Sequence, residues 1–223
     1  MNLLDRAFLW IRNCMLCYRF ALFTRILLAA AFIPTGMVKL QGHRFTTMPV
    51  DTPIGAFFEA MFQTGLFWNF IGLAQVVAGV LLLVPGLAHL GAAMFLPIML
   101  NIVVITIGLG FGGTAFVTVP MLLAVVFLCA YDFHRFRSML TTRPLDFEVP
   151  AQRLDGLEKV GFTVFAVSLI GVFGITRDLY VAEMMVVFMI TGFAAGLFTL
   201  ARFLWVWWHQ RPTAAGGNGV AAG

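Results

Sequence analysis

Charged side chains are scarce in this sequence, and their scarcity excludes most soluble folds. Only 11% of the 223 residues are Asp, Glu, Lys or Arg, whereas 61% are hydrophobic. A soluble domain has about 25% charged residues. A soluble globule of this length has too little interior to cover so much apolar surface, but a lipid bilayer can surround it. The composition therefore predicts an integral membrane protein.

Cysteines and basic clusters are also few. The net charge is only +4, and the absence of a Lys/Arg run excludes nucleic acid as an expected partner. The three cysteines (Cys14, Cys17 and Cys129) are an odd number, which does not suit a disulfide-stapled secreted fold. Cys14 and Cys17 have the spacing of a redox pair or half a metal site, and equally that of two apolar fillers one helical turn apart. No metal site is predicted, because a structural zinc needs two more ligands.

Long apolar runs are what the sequence has in abundance. They are continuous rather than alternating, which favours membrane-spanning helices over strands. About six runs have the length needed to cross a bilayer. The predicted spans are residues 20–40, 66–84, 88–109, 115–131, 160–175 and 181–205.

The expected fold is all-α, a polytopic transmembrane helical bundle with a four-helix core and a C-terminal helix pair. Residues 1–18 place apolar side chains on one helical stripe and predict an amphipathic helix on the membrane surface. A second short amphipathic helix is expected at 53–62. The predicted organisation is an interfacial helix at 1–18, the core at 19–140, a cytoplasmic loop at 141–157, the helix pair at 158–210 and a disordered tail at 211–223.

The basic residues predict the orientation of the bundle. With the N-terminus in the cytoplasm, eleven Lys and Arg residues lie inside and three lie outside, as the positive-inside rule requires. The inner residues are Arg6, Arg12, Arg19, Arg25, Arg135, Arg137, Arg143, Arg153, Lys159, Arg202 and Arg211, and the outer ones are Lys39, Arg44 and Arg177. Both ends of the chain are thus expected in the cytoplasm, and the chain in a bacterial inner membrane.

Four polar residues in the predicted spans are candidates for a binding site. Arg25 and Lys39 flank the first span, where an ionisable group marks a functional site or extends along the helix to the membrane surface. Gln75 lies between two glycines at helical spacing, so it forms either an interhelical contact or the polar wall of a pocket. Asn101 is expected to face Gln75 and bond to it. No pair of carboxylates has a spacing that suggests acid/base catalysis, so the catalytic residues and any enzymatic activity stay undefined.

Short motifs in the first four spans resemble the DoxX family of small four-helix membrane proteins. The resemblance covers roughly residues 19–140, and the two later spans depart from the four-helix pattern. Gln75 stands where many members have Glu, which removes a proton carrier. The motifs are Arg25-x-Leu27-Leu28, Phe32, Gly36 and Lys39-Leu40 in the first span, Gln75-x-x-x-Gly79-x-Leu81-Leu82 in the second, and 95–102, Gly113-Thr114 and Tyr131-Asp132 later.

The resemblance implies a role in a redox system. Some DoxX-like proteins are membrane subunits of thiosulfate:quinone oxidoreductase or partners of other redox enzymes, and distant relatives are chaperones or cargo receptors. The leading prediction is therefore a membrane subunit or partner of a redox enzyme, with a quinone as the candidate cofactor in a pocket lined by Lys39, Gln75 and Asn101. A non-enzymatic membrane scaffold, a small-solute transporter and a homo-oligomer remain open alternatives.

Overall fold

The regular elements are α-helices throughout the part of the chain that the structure describes. The structure is a computed structural model that describes residues 3–46, 48–110, 113–140, 149, 153–175 and 185–209. In these ranges the helices are α1 (Leu3–Asn13), α2 (Met15–Leu40), α3 (Pro53–Gln63), α4 (Leu66–Leu83), α5 (Ala88–Gly108), α6 (Ala115–Tyr131), α7 (Phe133–Leu140), α8 (Gly156–Ile175) and α9 (Met185–His209). The predicted all-α fold is confirmed.

Five of the described helices are long and apolar enough to cross a bilayer, namely α2, α4, α5, α8 and α9. The remaining predicted span, residues 115–131, is α6 and has 17 residues. At 1.5 Å per residue it is about 25 Å long, somewhat shorter than the hydrocarbon core. It nevertheless returns through the bundle, because the residue that follows it, Asp132, contacts Arg12 of α1 and Arg25 in the first half of α2. The protein is a multi-pass membrane protein.

Helix α2 lies at the centre of the packing. It contacts α4, α6 and α8, while α5 packs between α4 and α6, and α9 packs against α8. An edge-to-face contact of Phe32 with Phe95, 5.0 Å between ring centres, joins α2 to α5. The buried core cluster comprises Ala21, Leu28, Phe32, Ala78, Leu82, Ala92, Phe95, Met99, Val125, Leu128 and Tyr131.

Large apolar side chains also cover the outside of the bundle. Leu66 is 85% exposed and Phe116 is 83% exposed. In water such exposed side chains would promote aggregation, whereas a bilayer solvates them. The helices thus bury small and aromatic residues between themselves and present larger apolar ones to lipid.

Helix boundaries follow local signals. Cys14 caps α2 by accepting a hydrogen bond from the backbone N–H of Cys17, so the predicted surface helix at 1–18 ends earlier, at Asn13, and α2 begins at Met15. Thr52 caps α3 by accepting from the backbone N–H of Gly55, and Pro53 occupies the first helical turn. Helix α7 falls inside the polar segment that was not expected to be helical.

Several predictions concern residues outside the described ranges. These are most of the loop at 141–157, the beginning of the span at 181–205, the tail at 211–223, and the basic residues Arg143, Arg177 and Arg211.

Candidate functional site

Lys39 lies in the last turn of α2 and is buried, with 4% of its surface exposed. Its ammonium nitrogen lies 4.4 Å from the centre of the Phe45 ring and 5.2 Å from that of Trp68. It also donates a hydrogen bond to the carbonyl of Thr35 at 3.3 Å. The faces of aromatic rings attract a cation, and the attraction grows when water is excluded. A snorkelling lysine would reach water, so the burial of Lys39 excludes that alternative.

Gln75 lies on α4 beside the point where α4 crosses α2. The side chain is 5% exposed, and its Oε1 atom has no hydrogen-bond partner among the described residues. The backbones approach closely at this crossing: a Cβ atom on Gly36 would lie 2.6 Å from the carbonyl oxygen of Gly72 and 3.2 Å from the Cβ of Gln75. A Cβ on Gly72 would lie 2.8 Å from the Cβ of Lys39. Lys39 and Gln75 therefore flank the same helix crossing; that they form a shared binding site stays a prediction.

Asn101 does not join this site. The structure places its side chain on the exposed face of α5, so the predicted hydrogen bond between Asn101 and Gln75 is wrong. The buried face of α5 is formed by Phe95, Met99 and Val103, four residues apart. Asn101 lies two residues from Met99, about 200° around the helix, and so on the opposite face. A ligand-binding role for Asn101 at another surface stays a prediction.

Arg25 lies in the first half of α2 and has a different partner. Its Nη2 atom donates to Oδ2 of Asp132 at 2.6 Å, and Nη1 of Arg12 lies 3.7 Å from Oδ1 of the same carboxylate. Fourteen residues separate Arg25 from Lys39, which is about 21 Å along a helix. Arg25 is therefore not part of the Lys39 site. It joins α2 to the end of α6.

Sequence reasoning did not find this charged junction. Arg25 and Asp132 are 107 positions apart, so no local spacing signals the pair. The available signal was the placement of both residues at the same predicted membrane surface. The Arg12 guanidinium also lies 4.5 Å from the centre of the Tyr131 ring. A carboxylate held by two arginines, one of them stacked on an aromatic ring, stabilises the packing of α1, α2 and α6 rather than offering a free acid or base.

His134 of α7 borders this junction. Burial, reinforced by the positive charge of Arg12, lowers the pKa of His134 below its ordinary value of 6.5. Its ring packs against Phe8 of α1, with 5.7 Å between ring centres. The folded protein therefore favours the neutral imidazole.

The C-x-x-C pair has a structural explanation. The backbone N–H of Cys17 donates to the sulfur of Cys14 at 3.3 Å, which is a helix cap, and both cysteines are unbridged. Among the described residues no three His, Cys, Asp or Glu side chains are grouped so that they could hold a metal ion.

Comparison with known proteins agrees with this architecture. The DoxX family model matches residues 20–108, which run from α2 to the end of α5. A relative named uncharacterized protein YwoB, from Bacillus subtilis (strain 168), is 30% identical over 128 residues, covering 55% of this chain and 82% of the relative. The chain belongs to the DoxX family. No solved structure matches the chain.

The DoxX match contains both members of the Lys39 site. Gly36, Lys39, Gln75 and Gly79 all fall within residues 20–108 and line the α2–α4 contact. A Cβ atom on Gly79 would lie 2.6 Å from Cγ1 of Ile33, so this glycine also serves close approach. Asp132 and the helix pair α8–α9 lie outside the DoxX match. The charged junction at Arg25 is thus completed by a residue beyond the matched region.

Proposed function

We propose that this DoxX protein is the membrane partner of a redox enzyme and that its α2–α4 crossing binds a quinone ring for that enzyme. The observation that carries the proposal is the pairing of a buried ammonium, Lys39, with a buried amide oxygen on Gln75 that has no partner among the described residues. Buried polar groups are normally hydrogen-bonded, so an orphaned acceptor is a mark of a missing ligand group.

The two side chains complement both redox states of a quinone. A quinone carbonyl accepts hydrogen bonds, and the Lys39 ammonium is a donor without acceptor capacity. A quinol hydroxyl also donates, and Oε1 of Gln75 is an acceptor. The rings of Phe45 and Trp68, which surround the ammonium, offer flat apolar faces to an aromatic ring. The partner enzyme supplies or withdraws the electrons.

Ligand entry requires a local movement. The space lined by Phe45, Phe58 and Phe62 has a volume of about 10 Å³, at or below the space that one water needs. A quinone ring reaches the Lys39 ammonium only if the Phe45 side chain moves away from it. Phe45 lies in the connection between α2 and α3, away from the packed core, so its displacement leaves the helix crossing intact.

The first test is mass spectrometry on the protein purified in mild detergent, covering co-purifying polypeptides and extracted small molecules. A quinone together with a redox enzyme at near-stoichiometric yield is the expected result. A stoichiometric partner without a quinone would favour a non-enzymatic scaffold. A protein carrying only bulk lipid would contradict a stable redox complex and direct attention to solute transport.

A second test measures quinone affinity in variants. We expect Lys39→Met or Gln75→Leu to weaken binding of a short-chain ubiquinone about tenfold, the effect of losing one hydrogen bond to a charged or buried group. Lys159→Met is the matched control, because Lys159 is exposed on α8. Equal affinity in wild type, Lys39→Met and Gln75→Leu, all with unchanged thermal unfolding, would refute the site.

We further propose that the protein lies in a bacterial inner membrane with both ends in the cytoplasm. The support is the uneven distribution of basic residues between the two ends of the bundle.

A further inference from the structure

A cavity of about 470 Å³ lies between α2 and the C-terminal helix pair. This volume is within the range of small-molecule sites in proteins. The cavity is far from the Lys39 site, because it lies at the beginning of α2 and Lys39 lies at its end. The lining residues are Met15, Arg19, Arg153, Asp155, Glu158, Arg202, Trp205 and Val206.

The lining carries three arginines and two carboxylates, a net excess of one positive charge. Nε and Nη2 of Arg19 donate to Oε1 of Glu158 at 3.1 and 2.5 Å. Nε and Nη2 of Arg202 donate to Oδ2 of Asp155 at 3.2 and 2.5 Å. The hydrogen bonds from Arg202 lower the pKa of Asp155 below its ordinary 3.8. Each carboxylate in the lining, Glu158 and Asp155, is thus paired with an arginine. The third arginine, Arg153, is exposed and supplies the excess charge.

These arginines retain donors for a ligand. A guanidinium has five N–H donors in a planar fork, and the hydrogen bonds above use only Nε and Nη2 of Arg19 and Arg202. Phosphate is an anion that this fork geometry matches, because two N–H groups reach two oxygens together.

The position of the cavity along the helices is that of lipid headgroups. It is lined by the beginnings of α2 and α8 and by the last turns of α9. Trp205 is 52% exposed there, with the Arg202 guanidinium 4.5 Å from the centre of its ring. Tryptophan at a helix end marks the interface between hydrocarbon and water. Basic pockets between helices at this depth suit anionic headgroups.

We infer that this cavity binds a phosphate-bearing anion between α2 and the α8–α9 pair, with Arg153 and Arg202 as its main ligands. The same phosphate chemistry is present in the headgroup of an anionic phospholipid and in a soluble phosphate ester. The site is independent of the proposed quinone site. All but two of its lining residues, Met15 and Arg19, lie on the helix pair or its lead-in, and none falls within the DoxX match.

The test compares lipid and soluble ligands on the full chain in neutral detergent. Native mass spectrometry measures retention of dioleoyl phosphatidylglycerol against dioleoyl phosphatidylcholine, and calorimetry measures binding of glycerol 3-phosphate. The double variant Arg153→Gln/Arg202→Gln removes two cavity charges. Arg6→Gln/Arg135→Gln is the matched control, because it removes two exposed charges from the same end of the bundle outside the cavity.

We expect the cavity variant to weaken binding about tenfold per lost charged hydrogen bond, and the control to bind like wild type. Selective retention of phosphatidylglycerol identifies a lipid headgroup. Binding of glycerol 3-phosphate without lipid selectivity identifies a soluble ester. Equal retention of both lipids without glycerol 3-phosphate binding, or equal loss in the cavity and control variants, overturns the site. If the double variant unfolds, binding is measured with the single variant Arg153→Gln instead, because Arg153 is exposed and does not contribute to packing.

Discussion

Three cationic side chains on α2 are withdrawn from solvent, Arg19 and Lys39 buried and Arg25 half-buried, and each is stabilised differently. Arg19 bonds to Glu158 of α8, Arg25 bonds to Asp132 after α6, and Lys39 lies among aromatic rings. A charged group inside a membrane bundle is costly unless it is paired or functional. Arg19 and Arg25 have carboxylates and therefore join helices. Lys39 donates to the carbonyl of Thr35 and lies against the rings of Phe45 and Trp68.

At the residue scale, Gly36 limits the α2–α4 distance. We expect Gly36→Ala to destabilise the protein by about 1–3 kcal/mol, the typical cost of overpacking. The reason is that a Cβ there would lie 2.6 Å from the carbonyl oxygen of Gly72, a backbone atom that cannot turn aside. The measurement is unfolding in detergent by titration with dodecyl sulfate. Gly108→Ala is the control, because a Cβ at Gly108 has no atom within 4 Å. Similar stabilities of the two variants would contradict the role of Gly36 in the crossing.

His134 gives a pH dependence at the same scale. Its folded pKa lies below 6.5, chiefly because of burial, so protonation favours the unfolded chain. Its stabilising contribution is therefore complete above pH 6.5 and is lost as the pH falls through the lowered folded pKa. We expect the melting temperature to fall between pH 7.5 and 5.5, and His134→Gln to reduce that slope.

The control for this pH dependence is His43→Gln, because His43 is exposed. A slope that is unchanged in His134→Gln, or one abolished by His43→Gln, would assign the pH dependence to another group.

At the scale of elements, α8 is held to the four-helix core by a mixture of packing and charge. Phe23 of α2 packs edge-to-face on Phe162 and Phe165, with 4.9 and 5.5 Å between ring centres. The Arg19–Glu158 pair lies beside this contact, and Oε2 of Glu158 accepts from the backbone N–H of Asp155 at 3.0 Å. Glu158 thus caps its own helix and fixes α8 on α2.

A double-mutant cycle isolates the charged contribution. We expect Arg19→Met to cost about 3 kcal/mol, because Glu158 would stay buried without its partner. Arg19→Met/Glu158→Gln should recover part of that loss, since Gln keeps the cap and removes the charge. Stability is again measured by detergent unfolding.

The exposed pair is the control for this cycle. In the exposed pair Arg44–Glu59, Arg44→Met/Glu59→Gln should cost less than about 1 kcal/mol, because the Arg44 side chain is 54% exposed and an exposed ion pair contributes little. A single Arg19→Met variant as stable as wild type would show that packing alone holds α8 to α2.

At the scale of the whole molecule, the two ends of the bundle differ in charge. The end where α2 and α8 begin carries most of the described basic residues, whereas the opposite end carries Lys39 and Arg44. The phosphate-binding cavity lies at the first end and the proposed quinone site at the second. A membrane enzyme partner docked on one surface would therefore meet only one of the two sites directly.

Cysteine labelling tests the orientation. In a chain with Cys14, Cys17 and Cys129 replaced by Ser, we expect Thr46→Cys to react with a membrane-impermeant maleimide in intact cells. Gly86→Cys should react only after permeabilisation, because the proposed topology places it at the basic end in the cytoplasm. The reverse pattern would invert the proposed topology.

The fold and part of the site were predictable from the sequence. Continuous apolar runs determine helices in lipid, since backbone groups there must bond within the segment. The spans therefore matched α2, α4, α5 and α6 closely. Lys39 and Gln75 were singled out as polar residues in apolar helices and are buried, but the same reasoning placed Asn101 inward, and Asn101 is exposed. Helix α7 was not predicted, because its sequence is polar and it lacks the long apolar run that marks a membrane span.

Only the tertiary structure decided which polar residues meet. Asn101 was expected to face Gln75, but the rotation of α5 that buries Phe95 and Met99 turns it outward, because apolar packing outweighs one amide contact. The pairs Arg25–Asp132 and Arg19–Glu158 join residues 107 and 139 positions apart, which no spacing encodes. The sequence alone determined that the chain lies in a membrane as helices, because solvation by lipid acts on each segment separately. The structure determined the charged contacts and the cavity, because they depend on how helices distant in the chain pack together.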